Sequence, residues 1–251
     1  MCTLTWQTIE NGYRVLFTRD EQRSRHQALL PEFDQKLAAV YPVDPQGQGT
    51  WIASNQHGQT WCLLNLYSLN PQSPSSTQMS DSKPRSRGQI ILEALAHFAV
   101  TKHPIDKLIS DWLQALCLAE KFTPFTLCYF PSYNPLVSYQ PKYWQWNGTS
   151  LSCGYLNNMF TSSGKLFSAV KQNRQQVFTQ IEQLDSNDRQ WAFHQSHLPE
   201  KCHLSTCMHR SDAKSVSITE VVACANSVTM SYWQNSPCQA NYQQPDRQLV
   251  I

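Results

Sequence analysis

Apolar and β-branched positions crowd the first two dozen residues. Cys2 to Trp6 and Tyr13 to Glu21 each read as a strand, with Asn11-Gly12 as the turn signal between them. An antiparallel hairpin brings its outer ends together, so Cys2 is expected beside Arg19 and Asp20. Thr50 to Ser54 and Thr60 to Asn65 predict a second hairpin across Asn55-Gln56-His57-Gly58. Its second strand is apolar nearly throughout, as expected for a sheet covered on both faces. Between the hairpins, 22–36 lacks clean periodicity and reads as a loop with a short helical turn, and 41–49 reads as turns.

Residues 70–86 hold Pro, Ser, Gln and Asp with almost no large apolar side chain, which predicts an exposed loop. From Ser86 the period becomes helical, with Ile91, Leu95 and Phe98 on one face. Pro104 suits the first turn of a second helix carrying Leu108, Trp112 and Leu116. Short aromatic-rich strands are expected at 126–130, 136–139, 142–146 and 151–153, their Tyr and Trp side chains forming core. Ser163 suits the cap of a long helix from Lys165 to about Leu184, with Leu166, Val170, Val177 and Ile181 as its stripe. A shorter helix follows from Asp188 to His194. Strands near 214–223 and 228–233 precede a polar tail over 235–251. Strands, two helices, strands, two helices and strands in that order predict two packed β-sheets with helices outside, a layered α+β sandwich.

Composition narrows the class. The chain has 251 residues, 41% hydrophobic and 15% charged. That suits one domain over 1–251 with a sizeable core. A net charge of +2 offers no basic field for nucleic acid. No apolar run is long enough to span a membrane, and the N-terminus alternates instead of forming a signal peptide. A cytoplasmic location is therefore expected. Nine cysteines at irregular spacing do not form a disulfide framework and suit reduced core residues. Asn147-Gly148-Thr149 reads as a turn.

Two clusters carry candidate chemistry. Removal of Met1 would make Cys2 the terminal residue, with a thiol nucleophile and an α-amine base on one residue. The alternative is a small residue on an edge strand. Cys202-His203-Leu204-Ser205-Thr206-Cys207-Met208-His209 holds four metal-ligand types, but its spacing fits no common zinc pattern. It reads as a strand-edge approach to Arg210, and no metal is expected.

The Met-Cys start, Thr18-Arg19-Asp20-Glu21, Gly49-Thr50-Trp51, Leu64-Asn65 and Ser86-Arg87-Gly88 together resemble the NRDE family, also called the transport and Golgi organisation family. The matches run from residue 2 to about 215. Thr18 stands where the family motif, Asn-Arg-Asp-Glu, begins with Asn. The resemblance implies a four-layer αββα sandwich of the N-terminal-nucleophile (Ntn) hydrolase type. It further implies binding and transfer of haem to acceptor proteins. There is no Cys-x-x-Cys-His attachment motif, which argues against a haem enzyme more than against a carrier.

The related cysteine amidohydrolases imply an alternative, hydrolysis of a small amide after Met1 is removed, with no metal required. By that resemblance Cys2 is the nucleophile and Asp20 orients its amine, with Arg19 beside them. Asn65 and Asn157 are the two Asn residues of the site, and Arg210 is the late arginine. An Asn side-chain N–H suits a developing oxyanion, and arginine near a thiol favours thiolate.

Overall fold

β1 (Cys2–Ile9) and β2 (Gly12–Gln22) form the expected hairpin, with Cys2 opposite Arg19 and Ile9 opposite Gly12. The tight turn is Glu10-Asn11, and Asn11 takes the left-handed conformation at φ 56°. Gly12 already belongs to β2, and a Cβ there would collide with the Ala223 carbonyl of the neighbouring strand. The glycine is required for close strand approach rather than for the turn. The structure, a computed structural model, describes residues 2–67, 84–99, 101, 106–136, 139–182 and 188–251. Most of the expected 70–86 loop, Pro104 and Leu184 lie outside those residues.

The chain continues through β3 (Leu29–Asp34), β4 (Ala39–Val43), β5 (Ile52–Asn55) and β6 (Thr60–Asn65). After α1 (Gln89–His97) and α2 (Asp106–Ala119) come β7 (Phe125–Phe130), β8 (Lys142–Trp146), β9 (Leu151–Tyr155) and β10 (Met159–Ser162). α3 (Phe167–Glu182) and α4 (Arg189–Gln195) precede β11 (Ala213–Cys224), β12 (Ser227–Trp233), a 3₁₀ turn (Pro237–Gln239) and β13 (Arg247–Val250).

The described strands form two sheets, ordered β10-β1-β2-β11-β12-β13 and β3-β4-β5-β6-β7-β8-β9. Every pairing is antiparallel. Leu4, Val15, Phe17, Val221 and Met230 of the first sheet share one buried cluster with Val40, Ile52, Cys62 and Phe130 of the second. Tyr13 donates from its hydroxyl to the Gly58 carbonyl at 2.8 Å, tying the two sheets together. Ile91 and Leu95 of α1, Phe98 just after it, and Ile109 and Leu113 of α2 bury against Trp61, Leu127 and Trp144 of the second sheet. Trp191 of α4 packs on Leu16, Ile218 and Trp233 of the first, and Val177 and Ile181 of α3 pack on Phe193 of α4. The expected α+β class is observed.

Several local expectations are corrected. The segments expected as loop and turns contain β3 and β4. Leu29 and Phe33 of β3 are exposed on an edge strand, so burial imposes no clean alternation there. In α2 the buried stripe is Ile109, Leu113 and Cys117, one residue off the expected one, and Leu108 is exposed. Two adjacent apolar stripes run along that helix, and tertiary packing selects between them. Leu136 is exposed and sits in a turn. Among the described residues Ser163 caps no helix N–H: it accepts from the Lys165 N–H at 3.1 Å and donates to the Lys165 carbonyl at 2.6 Å, and α3 starts at Phe167. The polar tail contributes β13, which pairs with β12. All nine cysteines are unbridged. Asn147 Oδ1 accepts from the Thr149 and Ser150 N–H groups, so that sequon is a turn.

Candidate functional site

The hairpin register decides what surrounds Cys2. Arg19 faces it from β2, and Ser162 faces it from β10 on the other side. The Cys2 N–H donates to Ser162 Oγ at 3.1 Å, and the Cys2 carbonyl accepts from Thr161 Oγ1 at 3.2 Å. The Cys2 side chain opens on a cavity of about 950 Å³ whose walls include Arg19, Asp20, Asn65, Trp51 and Arg87.

Four of the six expected site residues, Cys2, Arg19, Asp20 and Asn65, therefore share this cavity. Arg210 lines an adjoining cavity of about 280 Å³, which Asp20, Glu21 and Asn65 also wall. Its guanidinium is paired with Asp212. Asn157 is not brought to the thiol. Its carbonyl accepts from Trp6 Nε1 at 2.9 Å, four residues along β1 from Cys2. At about 3.3 Å per residue, Trp6 itself stands about 13 Å along the strand from Cys2. Ser162 holds the place beside Cys2, because β10, which the sequence pattern did not reveal, ends there.

Charge dominates the cavity. The Arg19 guanidinium stacks 4.4 Å above the Trp51 ring, and its Nη2 lies 3.1 Å from Glu21 Oε2. Arg25 pairs with Asp44 and lies 3.7 Å from Glu21. Arg85 pairs with Glu93 and Glu120, on the side of α1 and α2. Arg87 donates to the Pro124 carbonyl at 2.9 Å. Among the described residues it has no carboxylate at ion-pair distance. Its neighbour Gly88 accepts from the Thr50 N–H at 3.1 Å, and a Cβ on Gly49 would strike the Gly88 backbone. The Gly49-Thr50-Trp51 and Ser86-Arg87-Gly88 motifs are thus packed against one another at the cavity wall. Four arginines (19, 25, 85, 87) face three acids (Asp20, Glu21, Asp44), a lining balance of one positive charge if all are ionised.

Burial pushes the Cys2 thiol up from its ordinary range, and Asp20 adds to this. The Asp20 backbone N–H and Arg19 oppose it. Burial also raises the Asp20 carboxyl, against Arg174 and the Ser215 hydroxyl, which donates to Asp20 Oδ1 at 2.6 Å. Arg174 was not expected at the site. It is fully buried on α3, with Nη2 3.7 Å from Asp20 Oδ2. It donates to Thr3, to Thr161 Oγ1 at 2.8 Å and to the Ser205 carbonyl at 2.7 Å. The available signal was its place on the Val170, Val177, Ile181 stripe, where a cation needs a partner.

Two variants of the conjugated bile acid hydrolase from Clostridium perfringens share the fold. They match at TM-score 0.51 with 9% identity and at 0.51 with 12% identity, each over 100% of this chain and 92% of theirs. A Caenorhabditis elegans N-acylethanolamine-hydrolyzing acid amidase ortholog aligns at 0.46 with 11% identity, over 100% and 99% of the two chains. No curated protein matches the sequence. The chain has the Ntn-hydrolase-like fold that its sequence resemblance implied. The family model described as Transport and Golgi organisation 2 matches residues 1–220, and the chain belongs to that family.

Proposed function

We propose that this protein carries an anionic small molecule in the cavity over Cys2, with haem, the cargo the family resemblance implies, as the ligand. The carrying observation is the cluster of arginines on the cavity wall, with Arg87 free of any carboxylate partner among the described residues. Guanidinium groups pair bidentately with carboxylates, and haem presents two propionates. Trp51 and Leu63 supply apolar surface for the macrocycle. Cys2 is the one sulfur donor among the described lining residues, and no imidazole joins it. A neutral thiol is a weak iron donor, which suits cargo that must be passed on to an acceptor protein. The reading places the site in a four-layer αββα sandwich, at the end of the first hairpin where the two sheets meet.

The test is a haem titration of the full chain followed by visible absorbance, then mixing with an apo-haem protein. A saturable spectral change and its transfer to the acceptor are expected. No spectral change at micromolar haem overturns the carrier reading.

A second reading, amide hydrolysis by an N-terminal Cys2, is favoured by Cys2, Arg19, Asp20 and Asn65 walling one cavity. The raised thiol and the distant Asn157 favour the carrier over it. Intact mass of the native protein separates them. A retained Met1 removes the amine base from Cys2. A trimmed chain that releases amine from an amide, and loses this in Cys2→Ala, would support hydrolysis instead.

A further inference from the structure

Away from the Cys2 cavity, the segment after α4 and the 3₁₀ turn near the chain's end bring two imidazoles and two thiols together. One ligand atom from each of His197, Cys207, His209 and Cys238 lies within 4.8 Å of all the others. His209 Nε2 is 3.5 Å from Cys207 Sγ and 3.4 Å from Cys238 Sγ. In a tetrahedral zinc centre, Zn–S of about 2.3 Å and Zn–N of about 2.1 Å put sulfur and nitrogen about 3.6 Å apart. The two observed separations are therefore already those of ligands sharing one ion.

The support around the ligands points the same way. His197 Nδ1 lies 3.0 Å from the Cys207 carbonyl. Donation there fixes the tautomer that leaves Nε2 as the free lone pair, the usual outer-shell arrangement of a ligating histidine. The Cys207 N–H donates to the Ser196 carbonyl at 3.0 Å, which closes the 196–207 loop and holds His197 against Cys207. His209 is held by a bridge to Lys214 at the start of β11. Cys207 is fully buried and the other three are half-buried. Two thiols alone would suit a disulfide, but two imidazoles beside them ask for a cation.

We propose that His197, Cys207, His209 and Cys238 bind one zinc ion in a closed, structural Cys₂His₂ site. Four protein ligands leave no open position, so the ion clamps rather than catalyses. It ties the 3₁₀ turn at Pro237–Gln239 to the 197–209 segment. Met208, between two ligands, donates from its N–H to Ser215 Oγ at 2.8 Å, and Ser215 donates to Asp20. The clamp therefore also holds the chain that positions Asp20, independently of what the Cys2 cavity binds.

The full-length protein, purified under reducing conditions, is assayed by elemental analysis, then stripped with a chelator and titrated with Co²⁺. One equivalent of zinc is expected, and Co²⁺ should give the intense visible bands of tetrahedral thiolate coordination. Cys207→Ser and Cys238→Ser should each lose the equivalent, and Cys224→Ser, on the far end of β11, should keep it. Because the serine variants could fail to fold, the wild-type cobalt spectrum stands by itself. No metal above background together with no tetrahedral cobalt bands overturns the proposal. So does a native Cys207–Cys238 disulfide, or zinc retained in both ligand variants.

Discussion

His194 of α4 is fully buried against the first hairpin. Its Nε2 lies 2.9 Å from Thr5 Oγ1 and its Nδ1 lies 2.7 Å from Thr18 Oγ1. Burial, helped by the nearby cations Arg14 and Arg174, lowers its pKa from 6.5 to about 3. The unfolded chain therefore binds a proton that the folded chain refuses between those two values. Stability from this residue is complete above pH 6.5 and is lost progressively as pH falls toward 3. The gap of about 3.5 pH units, at about 1.36 kcal/mol each, bounds the loss at about 5 kcal/mol. Between pH 7 and pH 5 alone the linkage relation gives about 2 kcal/mol. His194→Gln keeps a side chain able to bond both hydroxyls but cannot take up the proton. Urea unfolding of both proteins at pH 5, 6 and 7 is the assay. The wild type should lose about 2 kcal/mol more than the variant over that range. Equal losses would refute the depressed imidazole and the reasoning from burial.

Arg174→Met should cost about 3–5 kcal/mol in urea unfolding, because it leaves the Asp20 carboxylate and the Thr3 and Thr161 hydroxyls buried without their cation. Asp20→Asn in the same background should recover part of this, and a loss below about 1 kcal/mol would show the pair is not coupled to folding. Gly12→Ala should cost about 1–3 kcal/mol in urea unfolding, seen as a lower midpoint at unchanged slope, since the new methyl meets backbone of β11. A neutral result would mean the hairpin can shift at no cost.

Much of this arrangement could be read from the amino acids, and the failures have physical reasons. The Cys2 hairpin was legible because both strands are strongly apolar and a turn signal separates them. It placed Arg19 and Asp20 at the thiol through register alone. Asn65 came from the family resemblance, which matched it at the end of an apolar strand. β3, β10 and β13 were missed because each is at or next to a sheet edge, short, and only partly buried, so hydrophobic alternation is weak. With β10 in place, the thiol's neighbour is Ser162, and Asn157 falls beside Trp6. Arg174 was hidden by composition, since polar residues surround it on α3, and only its phase on the buried stripe marks it. The His197, Cys207, His209 and Cys238 group draws on residues 41 positions apart in sequence and on two loops. No local spacing rule could assemble it, and Cys202 and His203, which share its stretch of chain, fall outside the group. Among the described residues no helix is long and apolar enough to cross a membrane.

The cavity over Cys2 is the proposed ligand site, with Arg87 as an anion contact. Haem affinity of the wild type and of Arg87→Met, from absorbance titrations at matched ionic strength, tests that directly. A guanidinium–carboxylate contact of about 1.5–3 kcal/mol predicts roughly 10- to 150-fold weaker binding in the variant, with its far-ultraviolet circular dichroism unchanged. Equal affinities in two equally folded proteins would contradict it.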